Sequence, residues 1–403
     1  MKIVITAFEA HSNEGTEAGL AWQWANAYRR LGHDVTVYSQ AEEAVDTKEW
    51  ARSGIDFIQI GSSARTSAPQ GILQLIAAKS TYSRWINQVS LRAAEDMSSA
   101  DLVHHVSWGS VRLLPPFLGI NRSSTTRYVW GPLGGGQHAY FRGLQLRAFV
   151  PEIFRSISFP ISRNQLKRFL KECGDRLTLI STNEETTSYL KKSGAKHVHA
   201  MLADGIQTSS IKKSARIRTQ HPIRLLWLGR MVATKRPDVA IKVLRELADR
   251  GVSARLTMVG DGPMRPRLIQ LAHSLRVRES CSFTGRVPWS KTGSIYEMAD
   301  LLLFHSMRDS SCPTVVEAAS YGVPTVGLRI QGLGSMVPLQ VAAGPSAIRG
   351  VPELIKSLAD ECVTYLNARE SYCEASNEAL IFASQQSWDV KVQRILEALE
   401  EPC

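Results

Sequence analysis

The sequence predicts an α/β protein in which two doubly wound parallel sheets follow one another and a helix closes the chain. Three observations carry this. At 403 residues the chain is too long for one ordinary core and suits two domains of roughly 150 to 200 residues each. Hydrophobic residues make up 44% and charged residues 21%, which excludes disordered and fibrous classes. Short β-branched runs alternate with helix-length segments along the chain, the rhythm of parallel β-α-β units.

The first series of strands is expected at KIVITAF (2–8), DVTVYSQ (34–40), IDFIQIG (55–61), LVHHVSW (102–108), TRYVWG (126–131), LTLIST (177–182) and HVHAML (197–202). These define an N-terminal domain over 1–206. A polar, basic stretch, QTSSIKKSARIRTQHP (207–222), interrupts the pattern as a linker would. A second series follows at IRLLWLG (223–229), RLTMVG (255–260), SCSFTG (280–285), DLLLFHS (300–306) and PTVGL (324–328), giving a C-terminal domain over 223–383. Within 384–403, SQQSWDVKVQRILEALE has apolar residues at helical spacing and is expected to form a helix that crosses back to the first domain. Ligands of open parallel sheets bind beyond the carboxyl ends of the strands, so two such domains facing each other are expected to enclose a cleft.

No run reaches the roughly 18 to 20 apolar residues of a membrane-spanning helix, and MKIVITAF looks like a first strand rather than a leader. The six cysteines (Cys173, Cys281, Cys312, Cys362, Cys373 and Cys403) lack C-x-x-C or Cys/His metal spacing, which favours a reducing cytoplasm and gives no metal site. The formal charge of +11 is uneven: residues 1–220 hold 27 Lys+Arg against 18 Asp+Glu, residues 221–403 hold 21 against 19. The first half therefore faces a phosphorylated acceptor, an anionic membrane surface or nucleic acid, in that order, or is a basic solubility surface. No nucleic-acid motif accompanies the charge, so no nucleic-acid partner is expected. Residues 142–176 concentrate it, with 8 Lys+Arg against three acids. Interleaved Phe and Leu open three readings there: peripheral contact with the inner face of a membrane, recruitment of a phosphorylated acceptor, or a solvated helix face.

Chemistry is concentrated in the second half. Gly229 and Arg230 end a strand, and Lys235 follows at an expected helix start, so two cations beside free N–H groups form a clamp for a diphosphate. MRDSSCPTVVEAASYGVPTV (307–326) sets Asp309 and Glu317 on either side of a turn at Cys312, Pro313 and Thr314. Glu317 falls in an otherwise apolar, small-residue helix, where an unpaired carboxylate is costly, so it is expected to hold hydroxyl groups. A neighbouring backbone or basic partner is the alternative. In the first half, WGPLGGGQHAYFRG (130–143) offers Gly134, Gly135 and Gly136 for close backbone approach to a ligand.

The order G-R-x-x-x-x-K (229–235), V-G-D-G-P (259–263), F-T-G-R-V (283–287) and acid-x7-E-A-x-x-x-G-x-P (309–324) resembles family 4 of the glycosyltransferases, the retaining "glycosyl transferases group 1" enzymes of GT-B fold. EGTEAGLAW, D-L-V-H-H (101–105), W-G-P-L-G-G-G (130–136) and D-G-I (204–206) extend the resemblance over the whole chain. It implies two Rossmann-like domains facing each other across a cleft, the second binding a nucleotide-sugar. By resemblance Arg230 and Lys235 bind and neutralise the leaving diphosphate, Glu317 holds the ribose, and the backbone at Arg286 and Val287 meets the base. The loop at Gly15 closes over the diphosphate. Glu17 and the triple glycine lie on the acceptor side, and His104 or His105 approaches the sugar; a packed core residue on the strand is the alternative for either. The family's first acid is normally Glu; here it is Asp309, one methylene shorter.

The resemblance implies a cytoplasmic, metal-independent transfer, without cofactor, from a nucleotide-diphosphate sugar, a UDP-sugar by preference. The acceptor is a hydroxyl of a small polyol, aminocyclitol, saccharide or glycolipid. A catalytically silent nucleotide-sugar-binding protein and a sugar-nucleotide epimerase are the competing readings. A nicotinamide dehydrogenase is excluded because no G-x-G-x-x-G follows a strand.

Overall fold

The computed structural model describes residues 1–12, 14–15, 17–40, 47–61, 72–117, 125–138, 162–217, 222–336, 341–342, 350–367 and 369–400. They form two compact units. Unit 1 comprises Met1–Gly136, Phe159–Ala203 and Trp388–Cys403; unit 2 comprises Gln137–Ser158 and Asp204–Ser387. The second unit is therefore inserted in the chain of the first. The chain passes from unit 1 to unit 2 between Ala203 and Asp204 and returns to unit 1 with the terminal helix at Trp388.

Unit 1 is a seven-stranded parallel sheet in the order β3-β2-β1-β4-β5-β6-β7. Its strands are β1 (Lys2–Ala7), β2 (Asp34–Gln40), β3 (Asp56–Ile60), β4 (Leu102–Ser107), β5 (Arg127–Leu133), β6 (Leu177–Ser181) and β7 (His197–Ala200). Burial of both faces explains the continuous apolar runs of β1, β4, β5 and β6. The helices are α1 (Glu17–Arg30), α2 (Thr47–Arg52), α3 (Ile72–Arg92), α4 (Ala94–Ser99), α5 (162–173) and α6 (Glu184–Lys192). Leu166, Phe169, Leu170 and Cys173 of α5 are buried in the core while Lys167, Arg168 and Lys171 are exposed. Those Phe and Leu side chains thus pack inward and do not form an apolar face for lipid; Arg142, Arg147 and Arg155 of the same basic segment lie outside the described residues.

Unit 2 is a six-stranded parallel sheet in the order β10-β9-β8-β11-β12-β13. Its strands are β8 (Ile223–Leu228), β9 (Ala254–Val259), β10 (Cys281–Gly285), β11 (Leu301–Phe304), β12 (Thr325–Leu328) and β13 (Val341–Ala342). Helices α7 (Pro237–Asp249), α8 (Arg265–Ser274), α9 (Thr292–Met298), α10 (Pro313–Ser320), α11 (Gln331–Met336), α12 (Val351–Asn367) and α13 (Arg369–Gln385) accompany them. The stretch expected as a linker is strapped to this unit where described. Arg216 donates to Ser376 Oγ through its backbone N–H at 2.8 Å and to the carbonyl of Glu297 through its guanidinium at 2.7 Å. Its polar composition serves the unpaired carbonyls at the end of α9, which a composition argument cannot distinguish from a spacer.

The C-terminal segment is two helices rather than one. Gln386 and Ser387 break the run, and α14 (Trp388–Glu400) belongs to unit 1. Trp388 meets Trp24 edge to face with ring centroids 5.4 Å apart, and Val392, Ile395 and Leu399 join the same core. Lys391, fully buried, donates to the carbonyl of Leu202 at 2.8 Å, and Arg30 pairs with Asp389 at 2.6 Å. Where unit 2 begins and ends, Ile206 and Ser387 form a bridge, and Ile206 N–H donates to Gln386 O at 3.1 Å.

Candidate functional site

In unit 2 the strand order reverses between β8 and β11, the position at which open α/β sheets bind ligands. The sequence supplies this edge with tight turns. Gly260 and Gly262 have φ of 119° and 155°, and a Cβ on either would lie 2.0 Å from Gly229 O or 2.7 Å from Met231 O. Only glycine lets these backbones close. Gly229 N–H then reaches Val259 O at 3.0 Å and Gly260 N–H reaches Gly285 O at 2.8 Å, stitching the ends of β8, β9 and β10 side by side.

Lys235 stands after β8 and Asp309 after β11, and the Lys235 ammonium donates to the Asp309 carboxylate across the reversal point. Arg230, on the same turn as Lys235, is exposed. The helix that follows does not offer the free N–H groups expected there. Pro237 opens α7 without a donor, and the Asp238 carboxylate sits in its first turn, held at 2.8 Å by Arg236 and 3.0 Å by Lys242. Burial pushes Asp238 up, but the Arg236 and Lys242 cations outweigh it and hold the group down to about 2.

The helix start without a carboxylate is that of α10, which Pro313 likewise opens without a donor. Its first turn has no acidic residue, Cys312 provides no side-chain cap, and the buried Thr314 hydroxyl has no hydrogen-bond partner among the described residues. Val315, Val316, Ala318 and Ala319 are buried, whereas Pro313, Thr314 and Glu317 are partly exposed, so Thr314 and Glu317 share the helix's open face. Cys312 is fully buried, and burial pushes its thiol well up, so it packs the turn as an unreactive group. Glu317 accepts from Trp289 Nε1 at 2.8 Å and from the Tyr296 hydroxyl at 2.7 Å. Burial raises its carboxyl above the usual range against the pull of these two donors. Arg286 is exposed and Val287 half-buried on the turn that leads from β10 to Trp289.

Unit 1 repeats the arrangement. Its order reverses between β1 and β4, and Glu17, at the start of α1 after β1, accepts from Gly109 N–H after β4 at 2.7 Å. Gly15 is half-buried in the loop before α1. The triple glycine serves close packing: Gly134 N–H donates to Gly109 O at 2.8 Å, Gly135 has φ of 92°, and a Cβ on Gly136 would lie 2.7 Å from Thr186 Cα.

The expectation for His104 and His105 is corrected. Both are fully buried within β4, in a central strand covered on both faces. His104 Nε2 donates to Gly131 O at 2.8 Å, leaving Nδ1 to accept from the Tyr28 hydroxyl at 3.1 Å. The Tyr82 hydroxyl donates to Leu114 O at 3.1 Å, so it accepts from His105 Nε2 at 3.0 Å, and His105 Nδ1 accepts from Thr6 at 2.9 Å. All four ring nitrogens are occupied. Burial lowers His104 to about 4, and burial with the neighbouring His104 lowers His105 to about 3, so both are neutral core residues. Among the described residues no group of three or more His, Cys, Asp or Glu side chains could hold a metal ion, and no helix is long and apolar enough to cross a membrane.

Residues 209–379 match the family model described as glycosyl transferases group 1. The chain carries a group 1 glycosyl transferase domain. This domain falls within unit 2 and contains the Lys235, Asp309 and Glu317 site. The chain is 23% identical over 178 residues to a phosphatidylinositol N-acetylglucosaminyltransferase subunit of Arabidopsis thaliana, covering 44% of this chain and 40% of that one. It is 26% identical over 174 residues to D-inositol 3-phosphate glycosyltransferase of Corynebacterium glutamicum, covering 42% and 41%. The match thus spans about two fifths of each relative's length. The Anabaena protein HepE, solved with UDP and glucose, superposes with a TM-score of 0.66 at 16% identity over 100% of both chains. Sucrose-phosphate synthase of Thermosynechococcus elongatus superposes with a TM-score of 0.69 at 14% identity over 99% of both chains. These likenesses show the two-domain α/β GT-B fold expected from the sequence.

Three residues of the glycosyl transferase domain escaped the sequence reading. Trp289 and Tyr296 hold Glu317, and Gln331, with φ of 52°, accepts from Asp309 N–H at 2.5 Å while its Nε2 donates to His138 O at 2.6 Å. An aromatic pair seven residues apart with a glutamate further on is too common a pattern to have flagged them.

Proposed function

We propose that the protein transfers a sugar from a nucleotide-diphosphate sugar to a hydroxyl acceptor, with retention at the anomeric carbon and without a metal. The observation that carries this is the Lys235–Asp309 pair across the reversal point of unit 2, beside the uncapped start of α10. An ammonium has three donors; one is spent on Asp309, so two remain for phosphate oxygens. Arg230 on the same turn, the Thr314 hydroxyl and the Thr314 N–H, the first donor of α10 after Pro313, complete an anion-binding edge. Glu317, on the same open face of α10, is the acceptor for the ribose hydroxyls.

Breaking the bond between sugar and diphosphate builds negative charge on the departing phosphate, and preorganised cations stabilise that charge. Arg230 and Lys235 supply it from side chains, which removes the need for a divalent ion. The freed phosphate oxygen accepts the proton of the attacking hydroxyl. Asp309, within reach of Lys235, is placed to bond hydroxyls of the transferred sugar. A UDP-sugar is the preferred donor, by analogy with HepE, whose structure contains UDP and glucose. An inositol-type polyol or a saccharide is the preferred acceptor, by analogy with the inositol phosphate and phosphatidylinositol enzymes. Through α5, contact with anionic lipid would be electrostatic, by Lys167, Arg168 and Lys171.

The test is turnover of UDP-glucose and UDP-N-acetylglucosamine with inositol and saccharide acceptors, followed by UDP release. Arg230→Ala is expected to lower the rate by about a hundredfold, the usual cost of losing one preorganised charge stabiliser, and EDTA to leave it unchanged. A rate near normal in Arg230→Ala, or a strict Mg²⁺ requirement, would overturn the mechanism.

A further inference from the structure

Among the described residues Glu317 has no cation beside it: its hydrogen bonds come from two neutral donors on two different elements. Trp289 lies on a single turn after β10, and its indole N–H reaches one carboxylate oxygen at 2.8 Å; Tyr296 lies on α9, and its hydroxyl reaches the other at 2.7 Å. Tyr296 is 1% exposed and stacks on Tyr321 with ring centroids 5.7 Å apart, so its hydroxyl is fixed. Trp289 is 41% exposed, a large aromatic surface left in solvent while its N–H is committed to the carboxylate.

We infer that Trp289 and Tyr296 are positioning residues that hold Glu317 ionised, with one free acceptor direction on each oxygen, for a vicinal diol of the bound nucleoside. The inference rests on the nucleotide-diphosphate reading above. Its chemistry follows from what the two partners cannot do. An indole N–H only donates, and a buried phenol whose proton is held far above neutral pH also donates. A protonated Glu317 would aim its own hydrogen at one of them and lose that bond. Two such donors therefore favour the carboxylate, against the burial that disfavours it. They occupy one lone pair on each oxygen, leaving a second on each. Two acceptors a carboxylate's width apart suit two adjacent hydroxyls, and the anion repels phosphate.

The experiment uses the full chain and two matched probes, UDP and 2′,3′-dideoxy-UDP, with affinities measured by calorimetry at pH 7.5 and 5.5. The wild type is expected to prefer the ribose form by about tenfold or more, the worth of one or two charge-assisted hydrogen bonds. Trp289→Phe and Tyr296→Phe, which keep the rings, should each remove most of that preference and leave the dideoxy affinity unchanged. Their remaining preference should fade at a higher pH than in the wild type. Glu317→Gln should abolish the preference at both pH values. If both ring variants keep the full preference while Glu317→Gln loses it, the positioning role is wrong and the nucleotide reading stands. If they weaken both probes equally, they serve the fold alone and the inference fails. If the wild type binds the two probes equally, or neither, the nucleotide reading fails.

Discussion

Lys235 shows how one residue's chemistry depends on its partner. A lysine after a strand is ordinarily a solvated charge, and the Asp309 carboxylate converts it into a fixed donor at the edge where ligands bind. That pairing joins residues 74 apart, and those holding Glu317 span 28 and 21, so no local pattern discloses them. The residue types at 230, 235, 309 and 317 were legible as motif members; their partners were not. For His104 and His105 the sequence left a core role and a sugar-facing role both open, for the converse reason. A histidine on a strand shows neither face of its sheet in sequence, and here both faces are covered. These rings have a consequence for stability. His104, His105 and His305 are buried, and burial lowers them to about 4, 3 and 4 respectively. Their folded-state values lie below the unfolded one, so the stability they contribute is complete above about pH 6.5 and is lost as pH falls. Each contributes up to about 1.4 kcal/mol per pH unit in that window. Glu185, Glu317 and Glu361, whose carboxyls burial raises, oppose this, each only as pH falls to its own raised value, and His33, lowered by burial, adds to it. The melting temperature is expected to fall between pH 7 and 5, above the range of ordinary carboxylates; calorimetry at half-unit steps checks it, and a flat profile would show that the rings titrate freely.

Among the elements, strands were legible and short pieces were not. Runs such as IRLLWL and LVHHVS carry enough β-branched and apolar residues to announce a buried parallel strand. β13 is two residues, Val341–Ala342, and has no pattern to read. The terminal helix was legible as amphipathic, but the break at Gln386–Ser387 lies within a polar run that looks continuous with it. α14 is held to unit 1 by a helix face rather than a loop, with Ile395 fully buried against the α1 side of the core. Ile395→Ala removes that side chain from a packed site, and the expected loss is about 2 to 4 kcal/mol. Urea denaturation of the full chain measures it. A change under about 1 kcal/mol would mean that α14 is only loosely docked.

For the molecule as a whole, the two series of strands announced two sheets, while the route of the chain between them was hidden. Sequence order set one domain after another with a terminal helix returning to the first; α14 belongs to unit 1, and the segment expected as a linker belongs, where described, to unit 2. The reason is physical: apolar periodicity marks which face of an element is buried, and says nothing of which core receives it. A fragment of 204–387 contains nearly all of unit 2, so it is expected to fold alone and to bind UDP with an affinity within about tenfold of the full chain. Thermal stabilisation by UDP measures this. A fragment of 1–203, deprived of α14 and left with Trp24 uncovered, is expected to aggregate.

The bridge between Ile206 and Ser387 gives that insertion a further meaning. A module whose entry and exit points are tied by a backbone hydrogen bond asks almost nothing of its host beyond two neighbouring attachment points. Such a cassette can be transplanted into any loop of matching width, and it can be permuted by joining 206 to 387 and cutting elsewhere, with little entropy lost in the closure.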